Sequence, residues 1–165
     1  MPTKLLAMID SSVVGKTAIN YQGYKNMIST FYNPELVFIN TNYLTTLTKR
    51  EILNVFAEVI KTVLIGEDQI FNLLKDKSYE ELKANNEMLD KIIKLSILFK
   101  RNIVKKDLYD NNIRKMLNFG HTIGHVLEVN ENMNYKHGEA VALGIKFASF
   151  FLFIKIYLIG KNMIK

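Results

Sequence analysis

The sequence of 165 residues contains no cysteine and only three histidines. The absence of cysteine excludes disulfide bonds, thiolate metal ligands and a cysteine nucleophile, and it favours an intracellular protein. Any metal ion must therefore be bound by histidine, aspartate or glutamate. The apolar run near the N-terminus is short and ends at Asp10, which is typical of neither a signal peptide nor a transit peptide. We therefore expect a cytoplasmic protein.

Positive charge is in excess, but it is not concentrated in one region. The 22 Lys and Arg residues and 16 Asp and Glu residues give a net charge of +6. The lysines are scattered and form no basic stripe with interleaved aromatics, so we expect no nucleic-acid partner. A small anionic ligand suits this charge better. The composition, 48% hydrophobic and 23% charged, is that of a globular protein.

One apolar stretch, residues 140–160, is nearly long enough to span a bilayer. It contains Lys146 and Lys155, and a charge near the membrane centre costs roughly 2.5 to 3.5 kcal/mol on insertion scales. We therefore interpret it as a buried helix of a larger protein, without a membrane partner.

The pattern of apolar residues predicts two short strands followed by at least four helices. The strands are expected at residues 5–9 and, after the turn signal Asn33-Pro34, at residues 36–39. Capping boxes begin two helices, at Thr48 with Glu51 and at Ser78 with Glu81. Two strands cannot form a stable sheet alone, so they resemble the end of an α/β domain whose other strands are not in this chain.

The second half of the chain is predicted to be helical. Asn85 and the residue after it interrupt a helix that runs to about residue 104, and the last helix begins at His137. Between them, Asn111 or Asn112 is expected to cap a helix that runs to about Leu127. The predicted fold class is therefore mostly α, with several helices preceded by two strands.

All three histidines lie between His121 and His137. At 100° per residue, one narrow stripe of the predicted helix collects five polar side chains, those of Arg114, Asn118, His121, His125 and Glu128. Histidines four residues apart can both reach a metal or a ligand, although an isolated pair of this kind is more often an accident. Gly120 and Gly124 allow another backbone or a ligand to come close.

A second candidate site lies in the helix that begins at Thr48. Glu58 and Lys61 place a carboxylate and an amine one turn apart on a largely apolar helix. The pattern is compatible with a metal or substrate site and equally with a surface ion pair.

Five segments resemble, in order, the 3-dehydroquinate synthase family. They are PTKLLAMIDSSVVGKTAIN, GYKNMISTFYNPELVFINT, REILNVFAEVIK, IRKMLNFGHTIGH and HGEAVALGI. The match covers nearly the whole chain at close to the family's spacing. The resemblance implies that residues 1–42 are a remnant of an α/β nucleotide-binding domain and that residues 43–165 form a helical metal- and substrate-binding domain.

The same resemblance implies a set of functional residues. A catalytic zinc, or another divalent cation such as cobalt, would be held by Glu58, His121 and His137. Substrate-binding and catalytic positions correspond to Asp10, Asn26, Lys61, Lys100, Arg114, Asn118 and His125. Contacts with NAD correspond to Thr3, Lys16 and Lys25 and to the turn formed by Tyr43, Leu44, Thr45 and Thr46.

The implied reaction converts a seven-carbon keto-acid sugar phosphate (DAHP) to 3-dehydroquinate and phosphate in the shikimate pathway of aromatic amino-acid biosynthesis. The implied partners are this small anionic substrate, a separately encoded N-terminal half and a second copy in a homodimer. Three alternatives remain open: a noncatalytic remnant, a related cyclase that acts on another sugar phosphate, and a dehydrogenase of the same broad architecture.

Several positions depart from the family pattern. Val14 replaces a glycine, Lys4 a threonine, Leu108 an acidic residue and Asp110 a glutamate. The sequence also contains no glycine-rich dinucleotide-binding loop. We therefore expect catalysis to need a segment that this sequence does not contain.

Overall fold

The computed structural model describes residues 1–13, 15–22, 24–129 and 134–162. The regular elements are α1 (Leu5–Ile9), β1 (Lys16–Tyr21), β2 (Tyr24–Phe31), α2 (Lys49–Leu64), α3 (Asp68–Leu74), α4 (Tyr79–Ala84), α5 (Asn86–Lys106), α6 (His121–Val129) and α7 (His137–Asn162). Short 3₁₀ turns cover Ser11–Val13, Thr41–Thr46 and Ile113–Asn118. The predicted fold class, a mostly helical protein with two preceding strands, is confirmed.

The main core is formed by side chains from all five helices α1, α2, α3, α4 and α5. Its buried apolar side chains are those of Leu5, Met8, Ile9, Leu44, Ile52, Val55, Phe56, Val59, Ile70, Leu82, Leu89, Ile92 and Ile93. In α2 the buried positions recur at helical spacing, so one face packs inward. The core thereby fixes α2 and α5, the two helices that present Glu58 and Lys100.

Both predicted strands are wrong. Residues 5–9 form α1 because Leu5, Met8 and Ile9, at spacings of three and four, are the side chains that reach the core. Residues 36–39 are assigned to no strand, and Leu36 is 81% exposed. The observed strands, β1 and β2, form an antiparallel hairpin in which Tyr21 pairs with Tyr24.

The two predicted capping boxes are confirmed. Thr48 accepts a hydrogen bond from the backbone N–H of Glu51, whose carboxylate accepts from the N–H of Thr48 at 2.9 Å. Ser78 and Glu81 form the same reciprocal pair at the start of α4. The predicted interruption is also confirmed, because Asn85 ends α4 and caps α5. α7 begins at His137, as expected.

The helix predicted from residue 113 to 127 is wrong, because it is two elements. A 3₁₀ turn ends at Asn118, and Gly120 then takes a φ of +82° before α6 begins at His121. A Cβ at Gly120 would lie 2.5 Å from Cγ1 of Ile145 in α7. The break therefore lets the chain pass directly over α7, and Arg114 and Asn118 do not share a helical face with the histidines.

α6 and α7 pack closely through small residues. A Cβ at Gly124 would lie 3.2 Å from the backbone of Val141. The predicted close approach of another backbone at Gly120 and Gly124 is therefore confirmed. Beyond this contact, the later part of α7 exposes apolar side chains such as Phe150 and Phe153.

The helical segment His137–Tyr157 is long and apolar enough to cross a membrane, with a mean hydropathy of 1.8, and 22% of it is buried. Ala140, Val141 and Ile145 lie inside this chain. Most of the segment is exposed in this chain, so the burial of this helix in a larger protein stays a prediction.

Candidate metal centre

Side chains from three helices converge on one carboxylate. Oε1 of Glu58 in α2 lies 3.4 Å from Nε2 of His121 at the start of α6 and 3.5 Å from Nε2 of His137 at the start of α7. The three ligand atoms all lie within 4.8 Å of one another. Glu58 is 2% exposed. This arrangement was expected from the resemblance, and the structure brings all three residues together.

The spacing of these atoms suits a divalent ion. Zinc bound tetrahedrally at about 2.0 to 2.2 Å from nitrogen and oxygen ligands has neighbouring ligand atoms about 3.3 to 3.5 Å apart. Oε1 of Glu58 is buried and accepts no hydrogen bond from the described residues. A buried acceptor without a donor is costly, and a cation would satisfy it. One carboxylate and two imidazoles also leave a fourth position open for a ligand.

The starts of α2 and α7 are held together next to the cluster. The backbone N–H of Glu139 donates to Oδ1 of Asn54 at 3.2 Å. A Cβ at Gly138 would overlap the carbonyl oxygen of Asn54, so only glycine permits this approach. Arg50 in α2 also pairs with Glu139. These contacts place His137 beside Glu58.

The site holds Glu58 as a carboxylate. Burial alone would raise the pKa of Glu58, but the contact with His137 and the adjacent Lys61 ammonium lower it to about 2. Burial lowers the pKa of His121, and Lys61 lowers it further. The contact with Glu58 raises the pKa of His137 despite partial burial. A metal would therefore meet Glu58 as a carboxylate, and it would displace a proton from His121 more easily than from His137.

Two lysines lie beside the cluster, and both are buried. Nζ of Lys61, which is 3% exposed, contacts Oε2 of Glu58. Lys100 of α5 donates a hydrogen bond to Asp10 at the end of α1. Burial lowers the pKa of Lys100, and the charge of Lys61 lowers it further against the opposing effect of Asp10. The ion pair predicted at Glu58 and Lys61 is thus buried, and the surface alternative is wrong.

Arg114 is buried in a loop that is organised by Asp107. The Asp107 carboxylate accepts hydrogen bonds from the backbone N–H groups of Asn111, Asn112 and Arg114 at 2.6 to 3.0 Å. Arg114 is 1% exposed and donates to the carbonyl of Leu108 at 2.6 Å. The loop therefore fixes the direction of the guanidinium.

The remaining substrate candidates are placed less closely. His125 is exposed, with its ring centroid 5.4 Å from that of His121. Asn118 lines a cavity with Gly120 and Thr122. Asn26 is exposed in β2 with a φ of +56°, and its N–H donates to Asn20. Among the described residues, the structure places His125 beside the metal cluster and shows no such contact for Asn118 or Asn26.

The NAD candidates are spread over the first 46 residues. Thr3 is exposed, and Nζ of Lys16 pairs with Asp110 at 2.5 Å. In the turn at residues 43–46, the hydroxyls of Thr45 and Thr46 donate to backbone carbonyls. Leu44 is buried in the core and Tyr43 is 43% exposed. The Lys25 side chain, and the departure at Val14, lie outside the described residues.

Sequence reasoning gave no role to four acidic or basic residues around the site. They are Arg50, Asp107, Glu128 and Glu139. Glu128 was assigned to the polar stripe without a role, although its spacing of three residues from His125 places it on the same face of α6. The other three act through loop and interhelical contacts that no local pattern reveals.

Solved structures of known proteins share this fold. A 2-deoxy-scyllo-inosose synthase has a TM-score of 0.73 and 30% identity, and the match covers 88% of this chain and 40% of that one. A 2-epi-5-epi-valiolone synthase from Streptomyces hygroscopicus subsp. jinggangensis, with NAD⁺ and Zn²⁺ bound, has a TM-score of 0.75 and 25% identity over 87% of this chain and 41% of that one. The chain thus has the fold of part of the sugar-phosphate cyclases.

Sequence relatives identify the family within this class. The family model "3-dehydroquinate synthase N-terminal" matches residues 1–54, and "3-dehydroquinate synthase C-terminal" matches residues 55–161. The 3-dehydroquinate synthase of Clostridium tetani is 41% identical over 163 residues, 99% of this chain and 43% of that protein. That of Thermoanaerobacter pseudethanolicus is 46% identical over 149 residues, 90% of this chain and 42% of that protein. The chain belongs to the 3-dehydroquinate synthase family.

The chain spans about two fifths of the length of these relatives. The two family models meet inside α2, so the domain boundary expected after residue 42 stays a prediction.

Proposed function

We propose that this chain is the metal- and substrate-binding part of a 3-dehydroquinate synthase, which converts DAHP to 3-dehydroquinate and phosphate. The observation that carries the proposal is the meeting of Glu58, His121 and His137 beside buried cationic side chains. Zinc, or cobalt in its place, would be held by these three residues, and when bound it supplies a Lewis acid that polarises a substrate oxygen.

The chain's own residues provide binding and orientation. Lys61 and Lys100 place two buried positive charges next to the cluster of Glu58, His121 and His137. These charges suit a substrate with a phosphate and a carboxylate group. Arg114 is prearranged by its loop, so little is lost on binding an anion. His125 is exposed beside His121 and is able to exchange a proton with a bound ligand.

NAD is proposed as the second cofactor. It is bound in the 2-epi-5-epi-valiolone synthase and also in a 2-deoxy-scyllo-inosose synthase with carbaglucose-6-phosphate and Co²⁺, which has a TM-score of 0.72 and is 30% identical over 88% of this chain and 40% of that one. Thr3, Lys16, Lys25 and the turn at residues 43–46 would contact it. The sequence has no glycine-rich loop for the pyrophosphate, so these residues account for only part of an NAD site.

The rest of that site would come from an N-terminal nucleotide-binding half, which this sequence does not contain. The hairpin of β1 and β2 supports this partner, because all six residues of β1 are exposed and a two-stranded sheet is marginal alone. Ile19, Tyr21 and Ile28 are each more than half exposed. A tagged N-terminal half of a relative should co-purify with this chain after coexpression. Recovery of the tagged half alone would contradict the partner.

The activity itself is tested in a complete protein. Residues 1–165 replace the matching segment of the Clostridium tetani enzyme, and 3-dehydroquinate and phosphate are measured after addition of DAHP with zinc and NAD. We expect both products from this chimera and neither from the same chimera with His121→Ala. A folded chimera that binds zinc and NAD but forms no product would support the noncatalytic remnant.

The relatives favour 3-dehydroquinate synthase over another cyclase, because they are 41 and 46% identical whereas the solved cyclases are 25 to 30% identical. We further propose a cytoplasmic location and a homodimer. Light scattering on the purified chain tests the homodimer, and a monomeric mass at all concentrations would exclude it.

A further inference from the structure

Glu128 lies in α6 and reaches across to the first residue of α7. Its Oε2 is 3.2 Å from Nδ1 of His137. Both side chains are partly buried, at 23 and 27% exposure. Glu128 is therefore close to the candidate metal centre without facing Glu58 itself.

The two ring nitrogens of His137 have separate partners. Nε2 faces Oε1 of Glu58 at 3.5 Å, and Nδ1 faces Glu128. Glu128, at 3.2 Å, is the nearer of the two carboxylates, so it favours a neutral imidazole with its proton at Nδ1 and the lone pair at Nε2. Rotation of the ring is restricted at the same time, because the hydrogen bond would break.

His121 has the same arrangement with a different acceptor. Its Nε2 lies 3.4 Å from Oε1 of Glu58, and its Nδ1 lies 3.4 Å from the carbonyl oxygen of Phe119. A carboxylate is the stronger acceptor and makes the ligating nitrogen more basic than a carbonyl does. Glu128 also adds a negative charge beside His137, which partly offsets the ammonium group that Lys61 brings to Glu58.

We propose that Glu128 is a positioning residue for the metal centre, which holds the Nδ1–H tautomer of His137 and aims Nε2 at the ion. The inference rests on the proposed metal site. It extends that site from three ligands to a fourth residue that sets the geometry and basicity of one of them.

A different arrangement of the same residues would make Glu128 a ligand. His125, Glu128 and His137 also place one ligand atom each within 4.8 Å of one another. However, His137 would then have to use Nδ1 for this ion while Nε2 faces Glu58, and His125 is exposed. We therefore favour one ion at Glu58, with Glu128 behind His137.

The first test measures zinc binding to the full chain by competition with a chromophoric chelator. Glu128→Ala should weaken the affinity by about 10- to 100-fold. Glu128→Gln retains an acceptor oxygen and should lose less. The control Glu35→Ala removes the charge of an exposed residue outside the metal cluster, and this variant should bind zinc as tightly as the parent does. Unchanged affinity in Glu128→Ala overturns the proposal. If that variant does not fold, Glu128→Gln decides, and a zinc affinity equal to that of the parent overturns the proposal.

The second test needs no metal. With isotope-labelled histidine, the His137 tautomer is read by nitrogen NMR at about pH 8.5, well above the ordinary imidazole pKa. The parent should show the Nδ1–H form and Glu128→Ala a mixture of forms. The same mixture in both proteins overturns the positioning role. If the parent shows the expected tautomer yet binds no zinc, the proposed metal function fails while the contact itself stands.

The number of zinc ions bound per chain distinguishes a positioning role of Glu128 from a role as a metal ligand. One zinc per chain in the parent and in His125→Ala supports the positioning role. Two zinc ions per chain, with one lost in both His125→Ala and Glu128→Ala, would make Glu128 a ligand and overturn the proposal.

Discussion

Arg50 and Glu139 join the first turn of α2 to the first turn of α7. Nε and Nη2 of Arg50 donate to the two carboxylate oxygens of Glu139 at 2.7 and 2.8 Å. Oε2 of Glu139 also accepts from the backbone N–H of Lys136 at 2.9 Å. One carboxylate thus ties two helices and the segment before His137.

Removal of this carboxylate should loosen the start of α7. We expect Glu139→Ala to cost about 1 kcal/mol for the lost hydrogen bonds, which lowers the Tm by about 2 to 4 °C for a chain of this size. Calorimetry of the metal-free chain measures the change. Glu80→Ala is the matched control, because Glu80 pairs with Lys49 at 3.0 Å on an exposed surface. Equal changes in both variants would contradict a special role for Glu139.

The same pair should make stability depend on pH. The Arg50 hydrogen bonds and the backbone N–H of Lys136 lower the pKa of Glu139 from 4.5 to about 2. The carboxylate therefore contributes its full stabilisation above about pH 4.5, and this is lost as the pH falls through about 2. The parent should lose more stability than Glu139→Gln between pH 5 and pH 2, as followed by urea unfolding. Parallel curves would show that the pair contributes nothing.

Zinc binding should weaken when one ligand is removed. We expect His121→Ala or Glu58→Ala to lower the affinity at least about tenfold, because each loses a ligand atom of the cluster. Elemental analysis of protein dialysed against limiting zinc measures the content. Asn118→Ala is the control, because Asn118 lines a cavity whose lining includes none of the three proposed ligands. Equal zinc content in His121→Ala and the parent would refute the ligand assignment.

The affinity for zinc should also rise with pH. The contact with Glu58 raises the pKa of His137 above 6.5, with a further contribution from Glu128. Below this raised pKa, zinc must displace a proton, so the affinity falls about tenfold per pH unit. The metal-free protein behaves oppositely, because the stabilisation from protonated His137 is present below 6.5 and lost as the pH rises through the raised pKa. A zinc-induced rise in Tm that is the same at pH 6 and pH 8 would contradict this.

The buried ion pair of Glu58 and Lys61 should make stability sensitive to the loss of one partner alone. Glu58→Ala leaves the ammonium of Lys61 buried and unpaired, which costs about 3 to 5 kcal/mol. The double variant Glu58→Gln with Lys61→Met removes both charges and should recover most of that loss. Urea unfolding with a chelator present compares the three proteins. Failure of the double variant to recover stability would show that packing, rather than the unpaired charge, causes the loss.

The sequence was informative where the cause of a structure is local. The capping boxes at Thr48 and Ser78 depend on residues three positions apart, and both predictions are confirmed. The hairpin is also a local structure, in which Tyr21 pairs with Tyr24 and Gln22 takes a φ of +48°, but the sequence analysis did not predict it. By contrast, residues 5–9 are too few for periodicity to separate a buried strand from a helix.

Structural features that depend on contacts between residues far apart in the sequence could not be predicted in the same way. The break at Gly120 follows from its contact with Ile145, which lies 25 positions later in the sequence. The ligand set came from the resemblance, whereas the residues by themselves left the pairing of Glu58 with the histidines open. Glu128 shows the same limit, since its partner His137 belongs to another helix.

The carboxylate of Asp107 organises the whole loop before Arg114. Its oxygens accept from three backbone N–H groups, those of Asn111, Asn112 and Arg114. In Asp107→Ala these groups lose their acceptor, and the loop that aims Arg114 should open more often. Hydrogen exchange of the three amides should become at least about tenfold faster, while amides in the middle of α5 keep their rates. Asp90→Ala, at an exposed position of α5, is the control. Unchanged exchange at all three amides would mean that the loop is held by the burial of Arg114 and its bond to Leu108 instead.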